Sequence, residues 1–367
     1  MTHRILHIFG SLEVDGAAKQ LTYLAKKLPP ADFDTHVIAL RASQGAVELM
    51  RRAGIAPVVI GWRGALDAVA FWRAKRQIER WKSDLVHLWS LQHGRYFVLG
   101  TTRAAGVKTS VVSVRSVKDW TNDRLPISTR CFERRTDKFV VNGTTIRRHC
   151  LATGMDADKL TTISDGVCPV VESPISRQEL LAELQLPADA KLIAYIGSLT
   201  TEKRLKELIW AIDQLKAVGT AAYLMIIGDG SLRNALERYS RLNRVEDRVR
   251  FLGFRRDVPR LLPNIDVVWH AGACEGQSNA ILEAMCAEIP VVAADAGGSR
   301  ELVVAGETGY LVPVGERAGF ARCTLPLLEN SELAARLGAE GGRRALQFHQ
   351  VDHMVTQYAE LYRRLLE

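Results

Sequence analysis

Residues 267–285 read VVWHAGACEGQSNAILEAM, and this stretch indicates the fold of the chain. Its apolar start, 267–269, is typical of a short buried strand. A loop with two glycines follows, and the pattern then becomes that of a helix running to about Ala287. Pro290 precedes a second apolar run at 291–294. A strand, a helix and another strand in this order form a βαβ unit of a parallel sheet.

The same alternation of short apolar runs and helical patterns extends over the whole chain. It predicts an α/β protein with two doubly wound domains. The predicted strands lie at 5–9, 36–40, 57–60, 85–89, 110–114 and 139–141 in the first half, and at 192–196, 223–227, 249–252, 267–269 and 291–294 in the second half.

The boundary between the domains is predicted near residue 170, where two prolines interrupt both periodicities. We therefore predict a first domain at 1–170 and a second domain at 171–345. The last segment, 346–367, has apolar residues three or four positions apart and is predicted to be a closing helix.

The composition is that of an ordinary folded protein. Of the 367 residues, 47% are hydrophobic and 25% are charged, which excludes the disordered and fibrous classes. No apolar run approaches the roughly 18 residues that a membrane-spanning helix needs, and no signal peptide is visible, so we expect a cytoplasmic protein. The six cysteines have no Cys-x-x-Cys spacing and are expected to be reduced.

Positive charge is concentrated in the first half. Residues 1–170 contain 26 Lys and Arg against 15 Asp and Glu, whereas the remainder contains 23 against 26, within a total net charge of +8. A basic half suggests an anionic partner. Because no nucleic-acid recognition motif accompanies these residues, we expect no nucleic-acid partner and consider an anionic membrane surface or a phosphorylated substrate instead.

The basic stretch 71–82 contains two tryptophans, as a helix at a membrane interface can. The alternative, which we prefer, is a solvated helix whose Phe71, Ile78 and Trp81 pack on the sheet.

Ligands of open α/β sheets bind beyond the carboxyl ends of the strands, so the loops there are the candidate sites. The loop after the first strand places Gly16 at the start of a helix, where the backbone can approach an anion, or where the glycine serves only the turn. The loop after the strand at 192–196 places Lys203 and Arg204 at a helix N-terminus. Cations normally avoid that end, so an anion between them and the helix is expected; the alternative is a solvated basic loop.

The loop within 267–285 has the largest number of candidate binding groups. Glu275 stands before a helix that Ser278 or Asn279 can cap, and Glu283 lies one turn inside it. The amides of residues 276–280 face outward at the positive helix end. Carboxylates accept hydrogen bonds from hydroxyl groups and such amides hold phosphates, so a sugar nucleotide fits this loop.

The two glutamates form a Glu-x7-Glu motif within Glu-Gly-x-x-Asn-Ala-Ile-Leu-Glu-Ala-Met. This pattern resembles the donor site of glycosyltransferase family 4, the retaining nucleotide-sugar glycosyltransferases of GT-B fold. The supporting segments are Gly-Ser-Leu-x3-Lys at 197–203, Ile-Gly-Asp-Gly at 227–230, Phe-Leu-Gly at 251–253, Gly-Gly-x-x-Glu at 297–301 and Gly-x-Thr-Gly-x-Leu-Val at 306–312.

The resemblance implies a role for each matching residue. Lys203 would bind the donor diphosphate, Glu275 would contact the transferred sugar, and Glu283 would hold the ribose hydroxyls. Backbone near Leu252 and Gly253 would meet the base. The other predicted donor-binding residues are Gly16, Gly197, Ser198, Arg204, Gly276, Gln277, Ser278, Asn279 and Ala280.

Two positions depart from the family pattern. Ser198 stands where the family usually has Arg, so Lys203 and Arg204 must balance the negative charge of the diphosphate. Arg115 stands where known members have a His near the acceptor; it stays protonated and cannot be a general base, but it can orient an acceptor or bind an anionic group. We therefore predict Lys203, Glu275 and Arg115 as catalytic residues, and His93 with Arg115 as acceptor contacts.

The resemblance implies two Rossmann-like domains facing a cleft, with the C-terminal helix packing back toward the first domain. The implied reaction is retaining transfer without a metal or other cofactor. Because no well-placed nucleophile is visible in the sequence, we expect the acceptor to attack on the face from which the diphosphate leaves, rather than a covalent intermediate. Asp156-Ala157-Asp158 resembles a metal motif of another glycosyltransferase fold, but its position indicates a surface turn or helix cap.

We expect a UDP-sugar donor rather than a GDP-sugar, and a glycan or lipid-linked acceptor of cell-envelope polysaccharide synthesis. The basic first domain suggests an anionic or membrane-borne acceptor, reached by a cytoplasmic protein at the inner face of the membrane. The alternatives are an epimerase or hydrolase of GT-B fold acting on a nucleotide sugar, and a non-catalytic partner subunit of a glycosyltransferase.

Overall fold

The alternating strands and helices form two parallel sheets in the computed structural model, which describes residues 2–89, 94–117, 127–169 and 173–367. Contacts between Cα atoms divide the chain into two units. The first contains Met1–Gly166, Glu275–Gln277 and Val351–Glu367, and the second contains Val167–Cys274 and Ser278–Gln350. This division lies four residues before the predicted boundary, and Val170 itself is outside the described residues.

The first sheet has seven parallel strands in the order β3-β2-β1-β4-β5-β6-β7. The six strands predicted in this half are present. A seventh was missed, because its sequence Leu-Thr-Thr is too short to show a period. The elements are β1 (His3–Leu12), α1 (Gly16–Lys27), β2 (Phe33–Ala42), α2 (Gln44–Arg52), β3 (Val58–Val59), α3 (Ala68–Trp81), β4 (Leu85–Leu88), α4 (Arg95–Ala104), β5 (Thr109–Val114), α5 (Ile127–Arg134), β6 (Lys138–Val141), α6 (Thr144–Ala152) and β7 (Leu160–Thr162).

The second sheet has six parallel strands in the order β10-β9-β8-β11-β12-β13. All five predicted strands are present, and the missed one, β13, is a four-residue strand that begins with glycine. The elements are α7 (Arg177–Glu183), β8 (Lys191–Ile196), α8 (Leu205–Ala217), β9 (Ala222–Ile227), α9 (Arg233–Leu242), β10 (Val249–Gly253), α10 (Val258–Leu261), β11 (Val267–His270), α11 (Asn279–Cys286), β12 (Val291–Ala294), α12 (Ser299–Leu302), β13 (Gly309–Val312), α13 (Arg317–Glu329), α14 (Ser331–Phe348) and α15 (Val351–Leu366).

Helices cover both faces of the second sheet, which explains why its strands are apolar without alternation. Successive side chains of a strand point to opposite faces. In β8, Ile193 and Tyr195 belong to one hydrophobic core, and Leu192 and Ala194 belong to another. The α/β class and the two doubly wound, Rossmann-like domains are thus confirmed.

The C-terminal helix α15 packs against α1 of the first unit, as predicted. Two ion pairs link this helix to other parts of the first unit: Lys27 Nζ lies 2.6 Å from Asp352 Oδ1, and Arg363 Nη2 lies 2.7 Å from Asp32 Oδ2. The predicted closing segment began at residue 346, whereas α14 continues to Phe348 and α15 begins only at Val351.

Candidate active site

Three glycine turns meet at the carboxyl edge of the second sheet. The amide of Leu199, after β8, donates to the carbonyl of Asp229, after β9, at 2.9 Å. The amide of Gly228 donates to the carbonyl of Gly253, at the end of β10, at 2.8 Å. Three motifs that lie far apart in the sequence therefore form one hydrogen-bonded rim. Gly253, whose backbone was predicted to meet a base, is part of it, beside Leu252.

This rim leaves no room for a side chain at Gly228. Its φ is +140°, and an added Cβ would lie 1.9 Å from the carbonyl oxygen of Gly197. We expect Gly228→Ala to lower the free energy of unfolding by about 3 kcal/mol or more, because left-handed strain and overpacking add. Urea unfolding measures this loss. Gly219→Ala is the control, since Gly219 has φ +81° but open space around its Cβ; equal losses in the two variants would contradict the packing argument.

Lys203 lies next to the loop that follows β11, the strand beside β8. An added Cβ at Gly272 would lie 3.6 Å from Lys203 Cδ and 2.9 Å from His270 Cε1. The stem of Lys203 therefore passes over the position where Gly272 has no side chain. The sequence had placed Lys203 at a helix N-terminus, but it lies in a 3-10 turn, Thr201–Lys203, one residue before that helix is capped.

Arg204 has a partner within the protein, and its role in donor binding stays a prediction. Arg204 caps α8 with a left-handed φ of 54°, and its guanidinium forms an ion pair with Glu207 in the first turn of the same helix. An internal carboxylate thus balances this cation, so its place at the helix N-terminus does not imply an external anion. Ser198 is exposed, and its carbonyl accepts a hydrogen bond from the Tyr195 hydroxyl at 2.8 Å.

Helix α11 begins at Asn279 with Ser278 as its cap, as the sequence suggested, and the Ser278 side chain makes no capping hydrogen bond. No acidic residue lies in its first turn, so no carboxylate there offsets the positive helix end, in contrast to α8. Ala280 belongs to that turn, and Glu283 follows it. The arrangement suits an anion at residues 278–280.

The segment Glu275–Gln277 groups with the first unit. The amide of Gly276 donates to the carbonyl of Arg115 at 3.1 Å, and Glu275 forms an antiparallel bridge with Ser116. The prediction that the Gly276 amide faces a phosphate is therefore wrong, because this donor is already bonded. Gln277 is buried, and its Oε1 accepts a hydrogen bond from the amide of Asp165 at 2.9 Å.

Arg115, at the end of β5, forms an ion pair with Asp165, with 2.6 Å between Nη2 and Oδ2. Burial by itself lowers the pKa of the guanidinium, but the adjacent carboxylate outweighs burial, and the net shift raises this pKa. Arg115 is thus charged and already balanced by a protein carboxylate. Its role in binding an acceptor stays a prediction, and His93, the other acceptor candidate, lies outside the described residues.

Two histidines are buried in the first sheet. His87 contacts the Tyr362 hydroxyl at 2.6 Å through Nδ1 and Ser113 Oγ at 2.8 Å through Nε2. Burial, followed by the nearby His7 and Arg115, lowers the pKa of His87 well below its usual value. Burial also lowers the pKa of His7 to about 3. Both imidazoles are therefore neutral near pH 7 and belong to the core rather than to acid-base chemistry.

Helix-capping aspartates explain the start of α1 at Gly16 and the Asp156-Ala157-Asp158 motif. Asp15 caps α1 by accepting from the amide of Ala18 at 2.9 Å, which fixes the helix start at Gly16. Asp156 accepts from the amide of Asp158 at 2.9 Å and caps a 3-10 turn, as the sequence indicated. Within the described ranges, no three His, Cys, Asp or Glu side chains are grouped as metal ligands.

Helix α3 has a buried face, and its exposed side carries apolar residues among charged ones. Ile78 is buried, and Trp81 stacks on His36 with 4.5 Å between ring centroids, in agreement with the preferred interpretation. Trp72 and Val69, however, are 59% and 62% exposed on the other side. Among the residues that the structure describes, no helix is both long and apolar enough to cross a membrane.

Two family models match successive parts of the chain. Residues 14–169 match Glycosyltransferase Family 4, and residues 176–344 match Glycosyl transferases group 1. The lipopolysaccharide core biosynthesis glycosyltransferase LpsE of Rhizobium meliloti is 32% identical over 160 residues, 44% of this chain and 46% of LpsE. The GDP-mannose-dependent alpha-mannosyltransferase of Mycobacterium tuberculosis is 28% identical over 258 residues, 68% of this chain and 65% of that protein. The chain thus spans about half to two thirds of the length of these relatives.

Solved structures share the fold over nearly the whole chain. The crystal structure of Anabaena Alr3699/HepE in complex with UDP and glucose superposes with a TM-score of 0.86 at 21% identity, covering 99% of this chain and 100% of that chain. At this identity the likeness shows the fold alone. Taken with the two parallel sheets, it shows that the chain has the two Rossmann-like domains of the GT-B fold, and the two glycosyltransferase models match successive parts of it.

Proposed function

We propose that the protein is a retaining glycosyltransferase of family 4 that transfers a sugar from a nucleoside diphosphate to an acceptor of cell-envelope polysaccharide or lipopolysaccharide synthesis. The observation that carries this proposal is the placement of Lys203 over Gly272, on the loop that continues into Glu275 and the start of α11. A cation beside a helix start without acidic residues suits a diphosphate. Relatives in lipopolysaccharide core synthesis support the class of acceptor.

In the proposed mechanism the diphosphate leaves as an anion. Lys203 and the amides of residues 278–280 stabilise the negative charge that develops on it, which lowers the barrier because these groups are preorganised. Glu275 contacts the transferred sugar, and Glu283 accepts hydrogen bonds from the ribose hydroxyls. The acceptor hydroxyl attacks from the face on which the diphosphate departs and passes its proton to the departing phosphate oxygen, so the configuration is retained. This scheme requires no metal, because the lysine and the helix end meet the diphosphate charge.

Acceptor-dependent release of the nucleotide tests this function. The protein is incubated with a UDP-sugar and with lipid-linked or soluble glycan acceptors, and the products are identified by mass spectrometry and by proton NMR, which distinguishes anomers and epimers of equal mass. Transfer with retained anomeric configuration supports the proposal. Release of free sugar without an acceptor, or a changed sugar still attached to UDP, would instead establish a hydrolase or an epimerase.

We propose UDP rather than GDP as the nucleotide. The HepE structure contains UDP and glucose, whereas the mycobacterial relative uses GDP-mannose, so the two nucleotides must be compared directly. A ligand that binds only the folded protein raises its stability by about 2.7 kcal/mol at 100 times its dissociation constant. Thermal shifts with UDP, GDP and ADP at equal concentration should be largest for UDP; a larger shift with GDP would overturn this assignment.

We further propose that α3 contacts an anionic membrane surface. Leu66, Val69 and Trp72 are at least half exposed next to the exposed Arg73 and Arg76, a combination that favours the interface of anionic lipid.

Flotation with phosphatidylglycerol vesicles tests this contact. We expect a Trp72→Ser, Val69→Ser double variant to lose most of the bound fraction, because it removes two of the three exposed apolar side chains and keeps every charge. Val218→Ser, at a similarly exposed valine of the second unit, should bind like the unmodified protein. Equal flotation of all three proteins would refute the contact.

A further inference from the structure

The backbone of the segment 275–277 is hydrogen-bonded to the residues that follow β5. The Gly276 amide donates to the Arg115 carbonyl, and Glu275 pairs with Ser116 in an antiparallel bridge. The contact is close: an added Cβ at Gly276 would lie 2.0 Å from Asn142 Oδ1 and 2.9 Å from the Arg115 carbonyl oxygen. Glycine alone therefore allows this approach.

The side chain of Gln277 makes hydrogen bonds from the same segment to the loop after β7. Its Oε1 accepts from the Asp165 amide at 2.9 Å, and its Nε2 donates to Ser164 Oγ at 3.4 Å. Buried amide groups require partners, and here both ends of one side chain have them. This pair of bonds fixes the orientation of Gln277, two residues after Glu275.

The carboxylate of Asp165 is hydrogen-bonded to residues at the ends of two strands. Its Oδ2 accepts from Arg115 Nη2 at 2.6 Å and from Asn142 Nδ2 at 2.9 Å. The Asp165 side chain is only 2% exposed, so its hydrogen bonds to these donors are little weakened by water. The ends of β5 and β6 and the loop after β7 are thereby joined around one buried charge.

We propose that Asp165 and Gln277 are positioning residues that hold Glu275 in its productive orientation. This inference rests on the proposed function, in which Glu275 contacts the transferred sugar. A displacement of about 1 Å at a reacting centre can cost on the order of 100-fold in rate. Nucleotide binding relies on residues of the second unit, so loosening the segment lowers kcat and leaves the affinity for UDP unchanged.

A matched pair of glutamine variants tests the inference. Gln20 is buried and also makes two hydrogen bonds to this loop, both to the backbone of Gly166: its Nε2 donates to the Gly166 carbonyl at 2.8 Å, and its Oε1 accepts from the Gly166 amide at 3.0 Å. Gln20→Met thus removes two buried hydrogen bonds to the same loop without touching Gln277. We expect Gln277→Met to lower kcat by roughly 30- to 100-fold, with UDP affinity within about twofold, and Gln20→Met to change kcat by less than about threefold.

Partial rescue distinguishes positioning from mere packing. Gln277→Glu keeps an acceptor for the Asp165 amide and loses the donor to Ser164, so its kcat should lie between those of wild type and Gln277→Met. If Gln277→Met does not fold, Asp165→Asn takes its place. This variant keeps the hydrogen bond from the backbone amide of residue 165 to Gln277 and removes the carboxylate charge that Arg115 faces. It should lower kcat by about tenfold.

The outcomes separate the inference from the proposed function. Wild-type protein that transfers no sugar from any donor overturns both. Wild-type protein that transfers sugar, together with unchanged kcat in Gln277→Met or an equal loss in Gln20→Met, overturns the positioning role and leaves the function intact. A parallel loss of UDP affinity in Gln277→Met also overturns it.

Discussion

Replacing Lys203 by alanine is expected to lower the rate of sugar transfer by about 10²- to 10³-fold, the usual cost of removing one preorganised group that stabilises developing charge. The folded structure should persist, because Lys203 lies in a 3-10 turn and its charged end is not part of either hydrophobic core. UDP affinity should fall by about tenfold or more, since a charge-assisted bond to the diphosphate is lost. Steady-state kinetics and calorimetric titration with UDP and with uridine measure both effects.

The titration separates a diphosphate contact from a general loss of the site. Affinity for uridine, which has no phosphate, should be unchanged in Lys203→Ala. Lys206→Ala is the control, because Lys206 is an exposed lysine three residues further on whose ammonium lies 5.4 Å from the Tyr239 ring centre. Normal turnover in Lys203→Ala, or an equal loss in Lys206→Ala, would refute the assignment.

Replacing Glu275 by alanine should have an effect at least as large, about 10³-fold on kcat, with little change in UDP affinity. The reason is that Glu275 is proposed to contact the sugar and not the nucleotide. Its backbone attachments to Ser116 and, through Gly276, to Arg115 do not involve the carboxylate, so the segment should keep its place. Single-turnover transfer and thermal unfolding of the same preparation test these statements.

Glu329→Ala provides the comparison for this substitution, since Glu329 is an exposed glutamate at the end of α13. It should transfer sugar at the normal rate. If Glu275→Ala retains near-normal turnover, or if its UDP affinity falls as steeply as its kcat, then Glu275 does not act on the sugar as proposed.

The strand positions could be predicted because buried parallel strands are apolar throughout and are separated by helix-length segments. Every predicted strand is present. The two missed strands, β7 and β13, have only three and four residues, and their polar or glycine content hides them. The start of α11 was also predictable, since Ser278 and Asn279 are favoured at helix caps and precede an apolar helical pattern.

At the candidate site, the sequence did not show which groups already have partners within the protein. Glu207 lies only three positions after Arg204, but whether the two side chains pair depends on the left-handed conformation of Arg204 at the helix cap. Nothing near Gly276 indicated that its amide would bond to Arg115, 161 positions earlier in the chain.

The sequence by itself determined the fold class, the resemblance to glycosyltransferases and the residue types of the donor site, because these depend on local periodicity and on compact motifs. Only the tertiary structure decided which groups are already paired within the protein: Arg115 with Asp165, Gln277 with the loop after β7, and Lys203 beside Gly272. The physical reason is that hydrogen bonds and ion pairs act over a few ångströms in space, whatever the distance along the chain, so charge balance at a site appears only after distant strand ends are brought together.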